Sequence, residues 1–217
     1  RAVRSAAGDP AGRQFAALLD GGGLALGETG AGRIATLRPT AAERIALAAD
    51  GPVTASGPLL LWAGRTTALP ARPTALAAGT GWAAAAVPDG IVIVRPDAAP
   101  ATLPAPGAAA RLAASPDGGM LAAAHGRRLR IWDLPDGAVH ADLELDGVVT
   151  AVAFGRDPGI VAAGLAEGEV VLVDIDLGLP VLRLAVGEGA VDGVAWGGDG
   201  RILAARPAVG PLVVWSD

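Results

Sequence analysis

Few residues of this chain have the chemistry that nucleophilic catalysis requires. Its only histidines are His125 and His140, and it has no cysteine. A serine or threonine nucleophile needs a base within hydrogen-bonding distance, but the four serines fall in predicted turns or strand ends. We expect His125 in a turn and His140 in an outer strand, both as solvated residues. The sequence therefore predicts no catalytic residue.

Acidic side chains at a spacing of two residues could instead gather on one face of a strand and bind a metal ion. Asp142, Glu144 and Asp146 have this spacing, and so do Asp174 and Asp176. The alternative interpretation is structural. A charged outer strand discourages edge-to-edge pairing, and aspartates in a turn shape its backbone. The second interpretation predicts no metal and no cofactor, and it is the one favoured here.

The charge balance argues against a nucleic-acid-binding protein. The formal net charge is −5 and the isoelectric point is near 5.0, whereas nucleic-acid binding generally uses a basic face. The one basic cluster, Arg127, Arg128 and Arg130, lies on a predicted strand. Gly21-Gly-Gly23 joins two strands and opens no helix, so no helix N-terminus is available there for a phosphate.

Composition also bears on origin and location. All 17 basic residues are arginine, and lysine, asparagine and tyrosine are absent, a bias that indicates a GC-rich bacterial genome. No apolar run approaches the ~18 residues of a transmembrane helix, and no signal peptide is recognisable. We expect a cytoplasmic protein without a membrane span. Because the chain begins with Arg1, its N-terminus is expected to be processed, trimmed or part of something longer.

The chain consists of repeats in which short apolar runs alternate with Asp-Gly, Pro-Gly or Glu-Gly turns, the signature of hairpins. The third run of three repeats ends at Trp132, Val173 and Trp215, at spacings of 41 and 42 residues. A four-stranded propeller blade takes ~40–45 residues. The sequence thus predicts an all-β, single-domain β-propeller over 1–217, with repeats at about 1–40, 41–72, 73–107, 108–147, 148–188 and 189–217.

The repeats also predict how the blades pack. Inner strands rich in alanine and glycine suit close contact between neighbouring sheets. Trp62, Trp132 and Trp215 lie at equivalent strand ends and are expected to wedge between blades. The sixth repeat has only three runs, so Leu212–Trp215 is expected to be a sheet edge. We name the strands of a blade a to d in chain order, with a innermost.

The fourth repeat resembles a WD repeat. It contains Ser115-Pro-Asp-Gly118, then Leu129-Arg-Ile-Trp-Asp133 and Leu134-Pro-Asp-Gly137, and Val170–Asp174 is similar. The resemblance implies a closed ring, usually of seven blades, that binds other proteins. The chain departs from the family where a Gly-His pair is often found, since Gly147 is followed by Val148. Apolar packing is therefore expected to replace the family's histidine-centred hydrogen-bond network.

In such a fold the b–c and d–a loops gather at one rim. Mixed charge on that rim favours a protein-protein interaction scaffold or regulatory module, bound to partner proteins or to an adjoining domain. The alternative is an enzyme or small-molecule sensor with a site in the central channel. The candidate rim residues are Asp20, Arg38, Arg72, Asp89, His125, Arg127, Asp146, Glu167, Glu188 and Arg206.

Overall fold

The computed structural model describes residues 3–9, 13–20, 22–28, 34–39 and 41–216, with backbone only at positions 4, 5 and 34–39. The described residues form β-strands, turns and no helix. They fall into two compact units, Arg1–Ala108 and Ala109–Asp217. No helix among the described residues is long and apolar enough to cross a membrane.

Unit one contains three four-stranded antiparallel sheets, ordered β1-β2-β3-β4, β5-β6-β7-β8 and β9-β10-β11-β12. Each sheet follows chain order, as consecutive hairpins dictate. The first strands of neighbouring sheets contact one another. The strands are β1 Val3–Gly8, β2 Gln14–Leu19, β3 Gly23–Glu28, β4 Ile34–Pro39, β5 Arg44–Ala48, β6 Gly51–Ser56, β7 Leu59–Trp62, β8 Arg65–Ala68, β9 Ala75–Gly79, β10 Trp82–Val87, β11 Gly90–Val94 and β12 Ala101–Leu103.

Unit two repeats the arrangement with sheets β13-β14-β15-β16, β17-β18-β19-β20 and the three-stranded β21-β22-β23. Strand β17 contacts both β13 and β21. The strands are β13 Arg111–Ala114, β14 Met120–His125, β15 Arg128–Asp133, β16 Ala138–Glu144, β17 Val149–Phe154, β18 Ile160–Leu165, β19 Glu169–Asp174, β20 Leu179–Ala185, β21 Val191–Trp196, β22 Ile202–Pro207 and β23 Val213–Ser216.

The predicted fold class is confirmed. The described chain is all-β and forms six antiparallel propeller blades, one for each predicted repeat. The sixth blade has three strands, and β23 pairs with β22 alone among the described residues. Leu212 and Val214, at 59% and 53% exposure, leave this edge uncovered by the described chain. The predicted edge at Leu212–Trp215 is therefore confirmed for that part of the structure.

Two buried polar residues shape equivalent a–b turns. The Ser115 backbone N–H donates to the Met120 carbonyl at 3.0 Å, and the Ser115 hydroxyl accepts from the Met120 N–H at 2.8 Å. Asp9 makes the same pair of bonds with Gln14, at 3.0 and 2.7 Å. Each bond satisfies a group that would otherwise be costly to bury. Asp9 thus takes the position of Ser115 in the first blade, an equivalence between residues of different type.

The second strands of blades three, four and five are buried on both faces over most of their length. Every residue of β10 is buried, and Ala83–Ala86 are completely inaccessible to solvent. Ala122–Ala124 in β14 and Ala162–Ala163 in β18 are equally inaccessible. A strand that is buried on both faces leaves little room beyond Cβ at many of its positions, so alanine fits where a larger side chain would disturb the packing.

The tryptophans fill the blade interfaces in different ways. Trp62 is 3% exposed, and its Nε1 donates to Asp50 Oδ1 at 3.1 Å. Trp132 is completely buried, with the Arg130 guanidinium 5.9 Å from its ring centre. Its Nε1 has no hydrogen-bond partner among the described residues. Trp62 lies in the buried cluster that joins blades two and three, and the partly buried Trp215 packs on the cluster that joins blades five and six, which agrees with the predicted wedge role of these two.

Replacing Ala85 by leucine should destabilise the protein by about 1–3 kcal/mol, because Ala85 is fully buried in the cluster that joins blades two and three and the added carbons have no space there. Urea unfolding measures the change in the free energy of unfolding. The matched control is Ala101→Leu on β12 of the same blade, where Ala101 is exposed. Equal stability of A85L and A101L would contradict the packing argument.

Candidate binding surface

In unit two, the connection from β16 to β17 is bonded to the b–c turn of blade four. The Leu145 N–H donates to the Arg127 carbonyl at 2.9 Å, and Arg127 Nε returns a bond to the Leu145 carbonyl at 3.0 Å. The Val149 N–H donates to the Gly126 carbonyl at 2.8 Å. Backbone atoms therefore set the path of this d–a connection at both of its ends.

The same pattern recurs at the following blades. The Ala166 N–H donates to the Val148 carbonyl at 2.9 Å, which joins the b–c turn of blade five to the connection that enters it. The Val186 N–H donates to the Gly168 carbonyl at 2.9 Å. These bonds make one end of unit two a set of fixed loops. A surface that needs no ordering on contact binds at lower entropic cost.

The predicted rim residues lie at this end of the blades within their own units. The b–c turns contain Asp20, Asp89, Arg127 and Glu167, and the d–a connections contain Arg72, Asp146 and Glu188. All seven are exposed. His125 and Arg206 lie at the ends of b strands. Arg38 lies in β4, but its side chain falls outside the described residues. A binding role for these residues stays a prediction.

Ion pairs tie several of these charges to neighbouring strands. Arg72 pairs with Glu43, and Arg206 Nη2 lies 3.2 Å from Asp192 Oδ2. Asp146 pairs with Arg183 of β20, which also reaches Glu169. A hydrogen bond from Arg72, opposed by slight desolvation, lowers the pKa of Glu43. The surface is therefore charged but partly neutralised within each unit. The sequence does not predict these pairs, because several of them join strands that are far apart in the chain.

Gly168 is the tightest point of this surface. Its φ is +85°, and a Cβ placed there would lie 1.9 Å from the Gly187 carbonyl oxygen. Both the backbone conformation and the close approach of a second backbone require glycine. The next d–a connection can thus lie against the b–c turn only because Gly168 has no side chain.

Gly168→Ala should destabilise unit two by about 2–5 kcal/mol, the sum of left-handed backbone strain and a forced displacement of the Gly187 segment. Gly126→Ala is the matched control. Its φ is +64°, but an added Cβ meets nothing within 4 Å, so only about 1–2 kcal/mol of strain is expected. Chemical denaturation measures both changes. If G126A costs as much as G168A, the close approach to Gly187 does not constrain the loop.

Of the two histidines, His140 is exposed on an outer strand as expected from the sequence, whereas His125 is not in a solvated turn. His125 is half-buried at the end of β14, and its ring meets Trp132 edge-on, with ring centres 6.5 Å apart. His140 is on outer strand β16 as predicted, but its Nδ1 lies 3.2 Å from Asp133 and its Nε2 lies 2.9 Å from Asp176. His140 thus links blade four to the c–d turn of blade five. Alternation along single strands could not reveal this contact between blades.

The two carboxylates change the ionisation of His140. Partial burial works to lower its pKa, but the hydrogen bonds and negative charges of Asp176 and Asp133 outweigh burial, and the pKa lies above its ordinary value. The protonated ring can donate to both aspartates at once, whereas the neutral ring has a single N–H. Because both ring nitrogens face carboxylates, protonation of the ring strengthens both contacts.

His140→Gln should lower the free energy of unfolding by about 0.5–1 kcal/mol at pH 5.5 and by less at pH 8.5. The sign follows from the raised pKa: the contribution is full below the unfolded pKa of about 6.5 and is lost as the pH rises through the folded value. Urea unfolding at both pH values gives the difference. Asp176→Asn in a double-mutant cycle separates this pair from other titrations. A coupling energy that grows with pH would contradict the arrangement.

The acidic series at spacing two has structural partners. Asp142 accepts from Arg128 Nε at 2.5 Å and from Arg130 Nε at 3.0 Å. Partial burial works to raise the pKa of Asp142, but the two guanidinium groups outweigh it and lower the pKa. Asp174 accepts the N–H groups of Asp176 and Leu177. No group of three metal-binding side chains occurs among the described residues.

No protein-family model matches the chain, and no curated protein matches it. The description of this surface therefore depends on blade geometry and on the contacts of individual side chains. The WD-repeat resemblance still depends on the residues of the fourth and later repeats, while the six blades are a property of the structure.

Proposed function

We propose that this protein is a non-catalytic module of degenerate WD repeats that binds another protein through the b–c and d–a loops of its blades. The observation that supports this most directly is the hydrogen bonding of the loops in unit two. Residues 126, 127, 145 and 149 are joined by backbone bonds, so the exposed charges of this end project from a fixed frame. Binding residues commonly lie on loops positioned by a rigid scaffold.

The charges of this end suit a protein partner. In unit two, Arg127 and Arg206 lie among Asp146, Glu167 and Glu188. Mixed charge on a polar surface gives orientation and specificity in protein recognition. The neutralising pairs Asp146–Arg183 and Arg206–Asp192 reduce the net field without removing hydrogen-bonding groups. A cytoplasmic location and a bacterial source belong to the same proposal.

A photo-crosslinking amino acid at position 188 should trap the partner in cells of the source organism, because Glu188 lies in an exposed d–a connection. The control is the same amino acid at position 199, since Asp199 is exposed in the a–b turn at the opposite end of blade six. Mass spectrometry identifies the trapped protein. Reversing the charge of Glu167 and Glu188 together should reduce that adduct by about fivefold or more.

Crosslinks of equal yield at positions 188 and 199 would place the contact elsewhere and contradict the proposed surface. If the purified protein catalyses a reaction, and this activity persists in every loop variant, the non-catalytic assignment is contradicted. Far-ultraviolet circular dichroism of each variant checks that the blades are intact.

A further inference from the structure

Unit one contains a groove that the loop surface does not use. It lies between the β7–β8 hairpin of blade two and residues 95–100, which connect β11 to β12 in blade three. Its volume is about 330 Å³, at the lower end of the range of small-molecule sites. The groove is at the c–d end of the blades, away from the b–c turns of the same unit.

The floor of the groove is apolar and fixed in place. Leu60, Trp62 and Val94 line it and are 0%, 3% and 6% exposed. All three belong to one buried cluster that joins blades two and three. The Trp62 indole is held by its bond to Asp50, so its ring forms a wall that does not need to reorganise when a ligand binds.

The mouth of the groove is polar because of strand register. In the β7–β8 pair, Leu60 lies opposite Thr67 and Trp62 lies opposite Arg65. Paired residues of an antiparallel sheet share a face, so Thr67 and Arg65 lie on the same side as the buried Leu60 and Trp62. An Arg65 guanidinium N–H donates to the Pro96 carbonyl, which links the hairpin to the facing connection.

The charged residues that line the groove are both arginines, while Asp97 of the 95–100 connection is exposed and lies outside the lining. The lining contains Arg65 and Arg95 and no aspartate or glutamate, in a chain whose formal net charge is −5. A guanidinium keeps its charge at every physiological pH and offers five donors. The bond to Pro96 leaves further donors on Arg65. An apolar floor below two arginines is complementary to a molecule with an apolar body and one negative group.

We infer that this groove binds a small organic anion with an aromatic or aliphatic body, such as a carboxylate or sulfonate. The apolar body lies against Trp62 and Val94 at the floor and against the exposed Ala68, Ala98 and Pro100. The anionic group accepts hydrogen bonds from Arg65 and Arg95. Thr67 provides a further hydroxyl at the mouth. The site is separate from the proposed protein-binding loops, and it does not depend on them.

The probe is 8-anilinonaphthalene-1-sulfonate, compared with the uncharged N-phenyl-1-naphthylamine, which has the same rings without the sulfonate. Fluorescence titration of the full chain should show one saturable anion site. Arg65→Gln with Arg95→Gln should weaken the binding of the sulfonate by about tenfold or more and that of the uncharged probe by less than about threefold. The control, Arg111→Gln with Arg201→Gln, removes the same charge from exposed positions in unit two.

Two further variants test the position of the probe. Ala98→Trp should block both probes, because Ala98 lines the groove and is exposed. Trp62→Phe should remove much of the energy transfer from tryptophan to the bound sulfonate. The inference is overturned if A98W binds the sulfonate as the parent does, or if R111Q/R201Q weakens it as much as R65Q/R95Q. Equal weakening of both probes by R65Q/R95Q would also overturn the assigned anion contact.

Discussion

Close packing of sheets through very small side chains is the constraint on which the rest of this structure depends. The b strands are covered on both faces, and a strand in that position can present little beyond a methyl group. Ala83–Ala86 in β10 and Ala122–Ala124 in β14 meet this requirement with complete burial. Larger side chains such as Val92, Ile131 and Val171 lie on the c strands, in the buried clusters that join blades two and three and blades four and five. The alanine content is therefore a packing requirement as well as a compositional bias.

Polar contacts of a few larger side chains supplement this apolar packing. The indole of Trp62 has a carboxylate partner, whereas Trp132 relies on apolar contact and on the arginine over its ring. Tryptophans of different blades are thus held by different kinds of contact. The linkage of His140 to Asp133 and Asp176 adds a polar contact between blades four and five at their outer edge. Each contact stabilises one blade pair, as expected when every repeat touches only its neighbours.

The sequence was sufficient to predict the blades but not their side-chain partners. The spacing of 41 and 42 residues and the turn glycines predict strand order because hairpins pair consecutive runs. The three-stranded sixth blade follows from the same count. The Arg183 pairing with Asp146 and the histidine cluster join residues 37 and 36 positions apart. Such contacts depend on how neighbouring sheets rotate and stack, and no local periodicity encodes that geometry. The sequence does not predict the groove in unit one for the same reason.

The loops of unit two are joined through main-chain atoms. The bonds made by the N–H groups of Leu145 and Val149 use backbone atoms alone, and the positive φ of Gly126 and Gly168 is the feature that ties the frame to glycine at these two positions. The shape of the loops therefore depends mainly on the backbone, and their chemistry depends on the exposed side chains. Exposed positions such as 146, 167 and 188 can exchange charge or size while the frame stays as it is, whereas the side chain of Arg127 is itself bonded to the Leu145 carbonyl. One framework can therefore display many different surfaces, and a change of partner requires no new fold.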